Sequence, residues 1–520
     1  MKNYFYLIVL SLLTQSLVAQ TQIAGNVSDI NGGALPGATI VQKGTTNGTV
    51  ADMDGNFKIA INNVPATLVF SFVGYATQEI EVSAQTTLRV LMEPESYNLS
   101  GVEVVGTRSL NRSVTESMVP VDLIDVASLT AANGQLDINQ LLQYTAPSFN
   151  SNRQSGSDGA DHIDPATLRG LGPDQTLVLI NGKRYHQTSL INIFGTRGRG
   201  NTGTDLNTIP AAAIERIEIL RDGASAQYGS DAIAGVINIV LKDNVNEFTG
   251  NVNTGAYLAQ YNFDAGAIDG ENLQLNGNYG FKIGESGFVN VTADYHYRGH
   301  TNRAEFTSDF PDHLDVRNQY GDAEVADFSA WFNMQVPLNA NTHFYAFGGS
   351  GNRNVEAFAY TRAANEDRNV VDIYRKGFDP IIASVVNDHS LSTGLRGDIK
   401  GWDVDFNMST GKNKMHYYGR NTLNASLGSA SPTEFDDGGF SLMQSSTSID
   451  FSRYFNEVLR GLNIAYGAEY RIDNYTIFAG EEGSWYNYGG LFIDGGDTTT
   501  RPGGSQGFPG FQPSDVTDEY

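Results

Sequence analysis

Four groups of residues have types and spacings that chemistry could use. Asp52-Met53-Asp54-Gly55 sets two carboxylates before a glycine, as a calcium loop does. The bidentate glutamate that completes an EF-hand is missing downstream, and the same run is what a tight turn needs. Asp309-Phe310-Pro311-Asp312-His313-Leu314-Asp315, followed by Asp322, Glu324 and Asp327, carries enough carboxylates for calcium or a cationic solute. Such a run is equally a solvated acidic loop, and that reading is preferred. His296 and His300 have the i, i+4 spacing of a helical metal pair, yet they fall on a strand and its loop, where the geometry differs. Gly503-Gly504-Ser505-Gln506-Gly507 has the spelling of a nucleophile elbow. An elbow needs a strand before the serine and a helix after it, and Pro502, Pro509 and Pro513 make this stretch a loop. The absence of cysteine excludes disulfide scaffolds, thiolate metal sites and thiol nucleophiles. No catalytic set, cofactor cradle or metal site emerges, so the expectation is a chain that is not an enzyme.

The composition points to strands. Fifty-seven glycines, 25 tyrosines and 27 phenylalanines in 520 residues suit many strands and turns better than helical bundles. A formal charge of −25 argues against nucleic acid, whose phosphates it would repel. Residues 1–20 read as a cleaved secretory signal: Lys2 is the basic start, Tyr4 to Leu13 the apolar stretch, and Ala19-Gln20 the cleavage point. That stretch is too short for a spanning helix, which needs about 20 residues. No later segment is long and apolar enough either. Membrane residence would therefore require a barrel.

Residues 21–95 predict a seven-stranded β-sandwich. Alternating runs such as Ile23-Ala24-Gly25-Asn26-Val27, Ala38-Thr39-Ile40-Val41, Leu68-Val69-Phe70-Ser71-Phe72 and Leu88-Arg89-Val90-Leu91 supply strands. Asp54-Gly55, between Thr49-Val50 and Phe57-Lys58-Ile59, predicts a hairpin. The combination of Leu35-Pro36-Gly37-Ala38-Thr39-Ile40, Asp54-Gly55-Asn56-Phe57 and Phe72-Val73-Gly74-Tyr75 resembles the carboxypeptidase-regulatory-like domain. That resemblance implies an accessory sandwich without peptidase activity, and no zinc-ligand spacing accompanies it.

Residues 111–245 predict a small α+β domain. Val121-Asp122-Leu123-Ile124 and Ile138-Asn139-Gln140-Leu141-Leu142 suggest a strand and then a helix ending near Ala146-Pro147. Thr176 to Ile180 runs as a strand into Asn181-Gly182-Lys183-Arg184. Glu215, Arg216, Glu218 and Arg221 alternate with small apolar residues, as if a charged strand face met a wet surface. Gly170, Gly172, Gly182 and Gly223 read as turn formers, since no Gly-Lys-Ser/Thr ending makes them a phosphate cradle. The long run from Ile209 through Asp222-Gly223 and Tyr228-Gly229 to Lys242, with Arg169-Gly170 before it, resembles the plug domain of TonB-dependent receptors over about 140 residues. On that resemblance Arg169, Gly170, Gly182, Glu215, Arg216, Glu218, Arg221, Asp222, Gly223, Tyr228 and Gly229 are the plug's structural motif. Within the linker 96–110, Val102-Glu103-Val104-Val105-Gly106-Thr107 stands where such receptors carry their TonB box. The resemblance implies that this segment meets TonB and its inner-membrane energising complex. A short β-prone peptide can do so by strand addition, in which main-chain hydrogen bonds supply the affinity.

Residues 246–520 change to long period-two alternation, as in Val289 to Arg298, Trp402 to Ser409 and Ile464 to Asp473. Nine strands are expected near 247–257, 271–282, 288–299, 325–336, 342–354, 388–399, 402–414, 439–452 and 460–479. Their length of about 10 residues or more suits tilted transmembrane strands. Connections after even-numbered strands are short and most of the others are long, the pattern of a membrane barrel. Barrels of this plugged type have about 22 strands. The expected fold is thus mainly β: a sandwich, a plug, and the first nine or so strands of a 22-stranded barrel in a C-terminally truncated chain. The function that the resemblance implies is uptake of a scarce solute (an iron chelate, cobalamin, or an oligosaccharide or peptide) across the outer membrane, driven by the proton-motive force. In that reading Ser155 to Asp164 belongs to the ligand-facing apex, the long loops are extracellular, and the partners are outer-membrane lipid and an extracellular ligand. An outer-membrane receptor or adhesin without transport is the alternative; a passive porin is disfavoured because the plug would block it.

Overall fold

The computed structural model describes residues 21–29, 33–45, 47–61, 64–72, 75–83, 87–92, 121–133, 137–193, 196, 198–261, 264–284, 286–304, 319–455, 458, 461–494 and 496–519. The signal, the segment 102–107 and the acidic run 309–315 lie outside them. The chain divides into two compact units, 1–102 and 103–520.

The first unit is a sandwich of two sheets. One is ordered β4 (Asn56–Ile61), β1 (Thr21–Asp29), β7 (Thr87–Met92); the other β3 (Gly48–Val50), β2 (Thr39–Gln42), β5 (Ala66–Phe72), β6 (Tyr75–Val82). Strict alternation fixes the inner face: Phe57, Ile59 and Ile61 of β4 are buried, with Leu88, Val90 and Met92 of β7 and Leu68 and Phe70 of β5. Phe57 and Phe70 meet edge to face across the core at 5.4 Å. Gly25 sits where a Cβ would lie 2.3 Å from the Leu88 carbonyl, so β1 admits no side chain there. The expected hairpin at Asp54-Gly55 is not one. β3 pairs with β2 and β4 with β1, so the turn carries the chain from one sheet to the other. Asp52 makes that corner: its Oδ1 accepts from Asp54 N (3.0 Å) and Asn56 N (2.8 Å).

The second unit joins a plug to a wall. The plug sheet is ordered β12 (Lys183–Arg184), β11 (Thr176–Ile180), β14 (Gly235–Leu241), β13 (Ile214–Leu220), β8 (Val121–Asp125). Asn181 and Gly182 have φ of 47° and 78° and form the two-residue turn between β11 and β12, a conformation that Asn-Gly favours. The expected strand-then-helix holds, with a difference. Helix α1 (Val126–Asn133) follows β8 directly and precedes α2 (Ile138–Thr145), which ends at Ala146. α2 buries Ile138, Leu141 and Leu142, one helical stripe, and α1, which the sequence reading did not expect, buries Val126 in the same core.

The wall is an antiparallel sheet of nine long strands: β15 (Phe248–Tyr261), β16 (Asp264–Ile283), β17 (Gly287–Arg298), β18 (Glu324–Asn339), β19 (Thr342–Phe358), β20 (Ile381–Ile399), β21 (Trp402–Arg420), β22 (Phe435–Phe455) and β23 (Leu462–Ala479). Each pairs with its sequence neighbours. Lys400 and Gly401, both with positive φ, close the tightest connection, β20 to β21. At the other end the connections 299–323, 359–380, 421–434 and 480–516 are long. Two features exceed the sequence reading. The hairpin β24 (Leu491–Asp494) and β25 (Asp497–Thr500) lies within the last long connection, and β26 (Thr517–Glu519) pairs with β23. Three or four residues are too few for periodicity to register. Among the described residues no helix is long and apolar enough to cross a membrane, which says nothing of strands.

Candidate functional site: the plug against the wall

Two kinds of contact hold the plug to the wall. The first is apolar: the plug core of Ile138, Leu142, Val178, Ile217 and Ile239 continues into Trp331 of β18 and Phe347 of β19. Trp331 also donates its indole N–H to the carbonyl of Thr208 at 2.9 Å. The second kind is polar. Alternate wall residues point inward, and the buried polar ones include Asn290, Asp294, Ser329, Asn333, Arg353, Asp388, Asn407 and Asn413. Each needs a partner, because a buried polar group left unpaired costs about 1–3 kcal/mol.

The plug supplies many of those partners. Arg353 donates to Asp205 at 2.5 Å and to Asp327 of β18 at 2.8 Å. His186 Nε2 lies 2.9 Å from Asp388 Oδ2, and Tyr185 donates to the other oxygen at 3.0 Å. Ser189 donates through both N and Oγ to Asn413 Oδ1, at 2.9 and 2.8 Å. Lys183 pairs with Asp405 at 2.9 Å, and Asn181 donates to Asn333 at 3.2 Å. Two glycines make room. A Cβ on Gly411 would lie 2.2 Å from His186 Nδ1, and one on Gly159 would lie 2.2 Å from the Tyr417 hydroxyl.

A charged cluster lies where α2 begins. Arg153 donates to Asp137, the residue before α2, at 2.7 Å, and to Asp322 of the long connection after β17 at 3.1 Å. Burial by itself would raise the pKa of Asp137, but Arg153, His296 and Arg298 outweigh it and hold the carboxyl well below the usual range. Asp164 is different: burial dominates over Arg298 and Arg153 and pushes it up to about 7. Burial likewise lowers His162, against the pull of Asp161. Asp137, Asp164, Asp294, His296, Arg298 and Asp327 line a polar cavity of about 40 Å³, room enough for water.

The sequence-selected residues fall as follows. Arg169 and Gly170, with φ of 56° and 73°, form a turn, and Arg169 reaches Asp222 at 3.6 Å. Arg221 pairs with Asp122 at 2.7 Å. Tyr228 ends a short helix (Ser225–Tyr228), and its carbonyl accepts from Arg184 at 2.9 Å. Gly229 follows with φ of 94°, while Gly223 and Glu215 are exposed. Glu218 departs from the expected wet face. It is fully buried and accepts from Arg216 (2.9 Å) and Asn238 (3.0 Å) within the plug. In the segment Ser155 to Asp164, Ser157 and Gly159 to Asp164 are buried while Ser155, Gly156 and Asp158 are partly exposed, and His162 Nδ1 meets Ser384 Oγ of β20 at 2.7 Å. Asp322 and Asp327, set beside the acidic run as candidate cation ligands, are instead engaged by Arg153 and Arg353. Ser505 is buried and donates to Asp437 at 2.9 Å, pinned in a loop as the prolines suggest. The pairings themselves were missed. Their one signal in the sequence is charge at inward positions of otherwise alternating strands.

Comparison with known proteins agrees with this architecture. Residues 113–236 match the TonB-dependent Receptor Plug Domain family, and residues 23–105 match the CarboxypepD_reg-like domain. The chain is similar to TonB-dependent receptor P3 of Formosa agariphila, 25% identical over 408 residues, covering 78% of this chain and 37% of that one. It is also similar to the probable TonB-dependent siderophore receptor PirA of Acinetobacter baumannii, 32% identical over 180 residues, 35% of this chain and 23% of that one. The crystal structure of the siderophore receptor PirA from A. baumannii shares the fold, with a TM-score of 0.51 at 19% identity over 70% of this chain and 49% of that one. The plug is thus of the TonB-dependent receptor kind and the sandwich of the CarboxypepD_reg-like kind, and the chain shares its fold with a solved siderophore receptor. The match spans 23% and 37% of the length of these two relatives.

Proposed function

We propose that the protein is an outer-membrane importer that takes a scarce solute into the periplasm with energy delivered through TonB. The observation that carries this reading is the make-up of the plug–wall contact. Ion pairs and hydrogen bonds such as Arg353–Asp205, His186–Asp388 and Ser189–Asn413 run through it, and Arg353 lines a cavity with room for water. Polar contacts of this kind can exchange for water when the plug is pulled, whereas a dry core would have to expose apolar area. Val102 to Thr107 is the segment that TonB would grip by strand addition. The solute class is an iron chelate, cobalamin, or an oligosaccharide or peptide, and the relative named a siderophore receptor favours the first. No catalytic step is assigned.

The test is uptake of a labelled ferric chelate by cells whose only receptor is this protein. Uptake should stop when the proton gradient is collapsed, while surface binding persists. Val104→Pro, which removes a backbone donor and blocks strand pairing, should reproduce that split. Binding with gradient-independent accumulation, or with no accumulation by the unaltered protein, would instead favour a receptor or adhesin.

A further inference from the structure

The outward face of β21 changes character midway. Buried inward residues Asp405, Asn407, Asn413 and Tyr417 fix the even positions as outward. Those positions read Trp402, Val404, Phe406 and Met408, then Thr410, then Lys412 and Lys414. The neighbouring strands change with it. Phe406 lies beside Leu395 and Ile449, but Lys412 lies beside His389 and Met443, and Lys414 beside Asn387 and Ser441. One strand further out, Ser350 and Asn352 of β19 and Asn474 and Thr476 of β23 complete these two rows. Across these five strands the rows hold no carboxylate; Asp518 of β26, at their far edge, accepts from Asn474 at 2.7 Å and Thr476 at 3.2 Å.

The rows are also knit and available. Ser350 Oγ meets His389 Nδ1 at 2.9 Å, and Asn352 donates to Asn387 at 2.9 Å. Further along the strand, Arg420 is taken by Glu356 and His416 by Asp436. Among the described residues, Lys412 and Lys414 have no carboxylate partner; Lys414 Nζ rests 4.6 Å from the centre of the Phe478 ring. At the opposite end of the apolar stretch Trp402 packs on Tyr466 at 5.5 Å, and Tyr466 stacks on Phe451 at 5.0 Å, as an interfacial girdle does. From Trp402 to Thr410, at about 3.3 Å per residue and a tilt of about 40°, the apolar stretch is about 20 Å high. The lysines stand just beyond it, at the long-loop end.

We propose that Lys412 and Lys414, with His389, form a binding site for the phosphate of an anionic lipid headgroup in the outer leaflet. The proposal rests on the membrane reading given above. Positive charge at a membrane surface contributes about 1 kcal/mol per lysine, or about 5-fold each, so losing both should weaken lipid retention by about 30-fold.

The test reconstitutes the full chain in phosphatidylcholine vesicles with or without phosphatidic acid, then counts lipids that stay bound after extraction, by native mass spectrometry. Phosphatidic acid should be retained over phosphatidylcholine, and Lys412→Gln/Lys414→Gln should abolish the preference. Lys400→Gln, at the short-turn end, should leave it intact. A chain that inserts but retains both lipids equally, or a double variant that keeps the preference, would overturn the site alone. Displacement of the lipid by inorganic phosphate at matched concentration would overturn the lipid assignment. Lipid retention of the expected kind without gradient-dependent uptake in the cell assay above would leave the site standing and overturn only the importer reading.

Discussion

Arg353, on the wall strand β19, donates through Nη1 to Asp205 of the plug at 2.5 Å, with both residues buried. Its Nε is held by Asp327 of the neighbouring strand at 2.8 Å. A buried guanidinium is tolerable only with such partners, and removing one member of a buried pair costs about 3–5 kcal/mol because the other charge is stranded. Arg353→Met should therefore loosen the plug, raising hydrogen exchange of its amides around residues 205–209. Adding Asp205→Asn should recover part of the loss. Unchanged protection in the single variant would mean that the pair does not anchor the plug.

Gly411 is the wall's concession to His186. With a Cβ due 2.2 Å from the imidazole Nδ1, Gly411→Ala must push His186 away and break its 2.9 Å contact with Asp388. Overpacking of this kind costs about 1–3 kcal/mol. Limited trypsin digestion should then cut faster after Lys183 and Arg184. A digestion rate equal to the unaltered protein's would show that the histidine has room to give.

Asp164 predicts a pH dependence with a definite sign. Its pKa in the folded plug, about 7, lies above the ordinary value of 3.8, so the protonated form favours the folded state. This contribution is fully present below about pH 4 and is lost as the pH rises through about 7. Denaturant midpoints measured from pH 4 to 8 should fall across that window, and Asp164→Asn should flatten the fall. An Asp164→Asn profile parallel to that of the unaltered protein would place the titration elsewhere.

Phe70 tests the sandwich. It is fully buried and packs edge to face on Phe57. Phe70→Ala should cost about 3–5 kcal/mol, read as lost exchange protection over residues 21–92. Amides of the plug sheet, residues 121–241, should keep theirs. Equal loss in both regions would show that the two units unfold together.

The strands are legible in the residues alone because their signal is local. Alternation in Phe57-Lys58-Ile59 or in Trp402 to Ser409 declares a half-buried strand within a few residues, and Asn181-Gly182 declares its own turn, since few residues tolerate positive φ. Long alternating segments between short and long connections are therefore enough to place nine wall strands. What the alternation leaves open is what each inward residue meets. Asp205 and Arg353 are 148 residues apart, and Ser189 and Asn413 are 224 apart, so nothing near either residue announces its partner. Glu218 has the spelling of a surface charge and becomes a buried acceptor: Arg216 is its neighbour two residues back on β13, but Asn238 reaches it only once β13 and β14 pair. Asp54-Gly55 is legible as a turn but not as a passage between sheets, because the choice of strand partner belongs to the packed sandwich. Periodicity along the chain sets which face of a strand is polar; only the folded chain, by bringing distant polar groups within about 3 Å while excluding bulk water, decides which of them must pair.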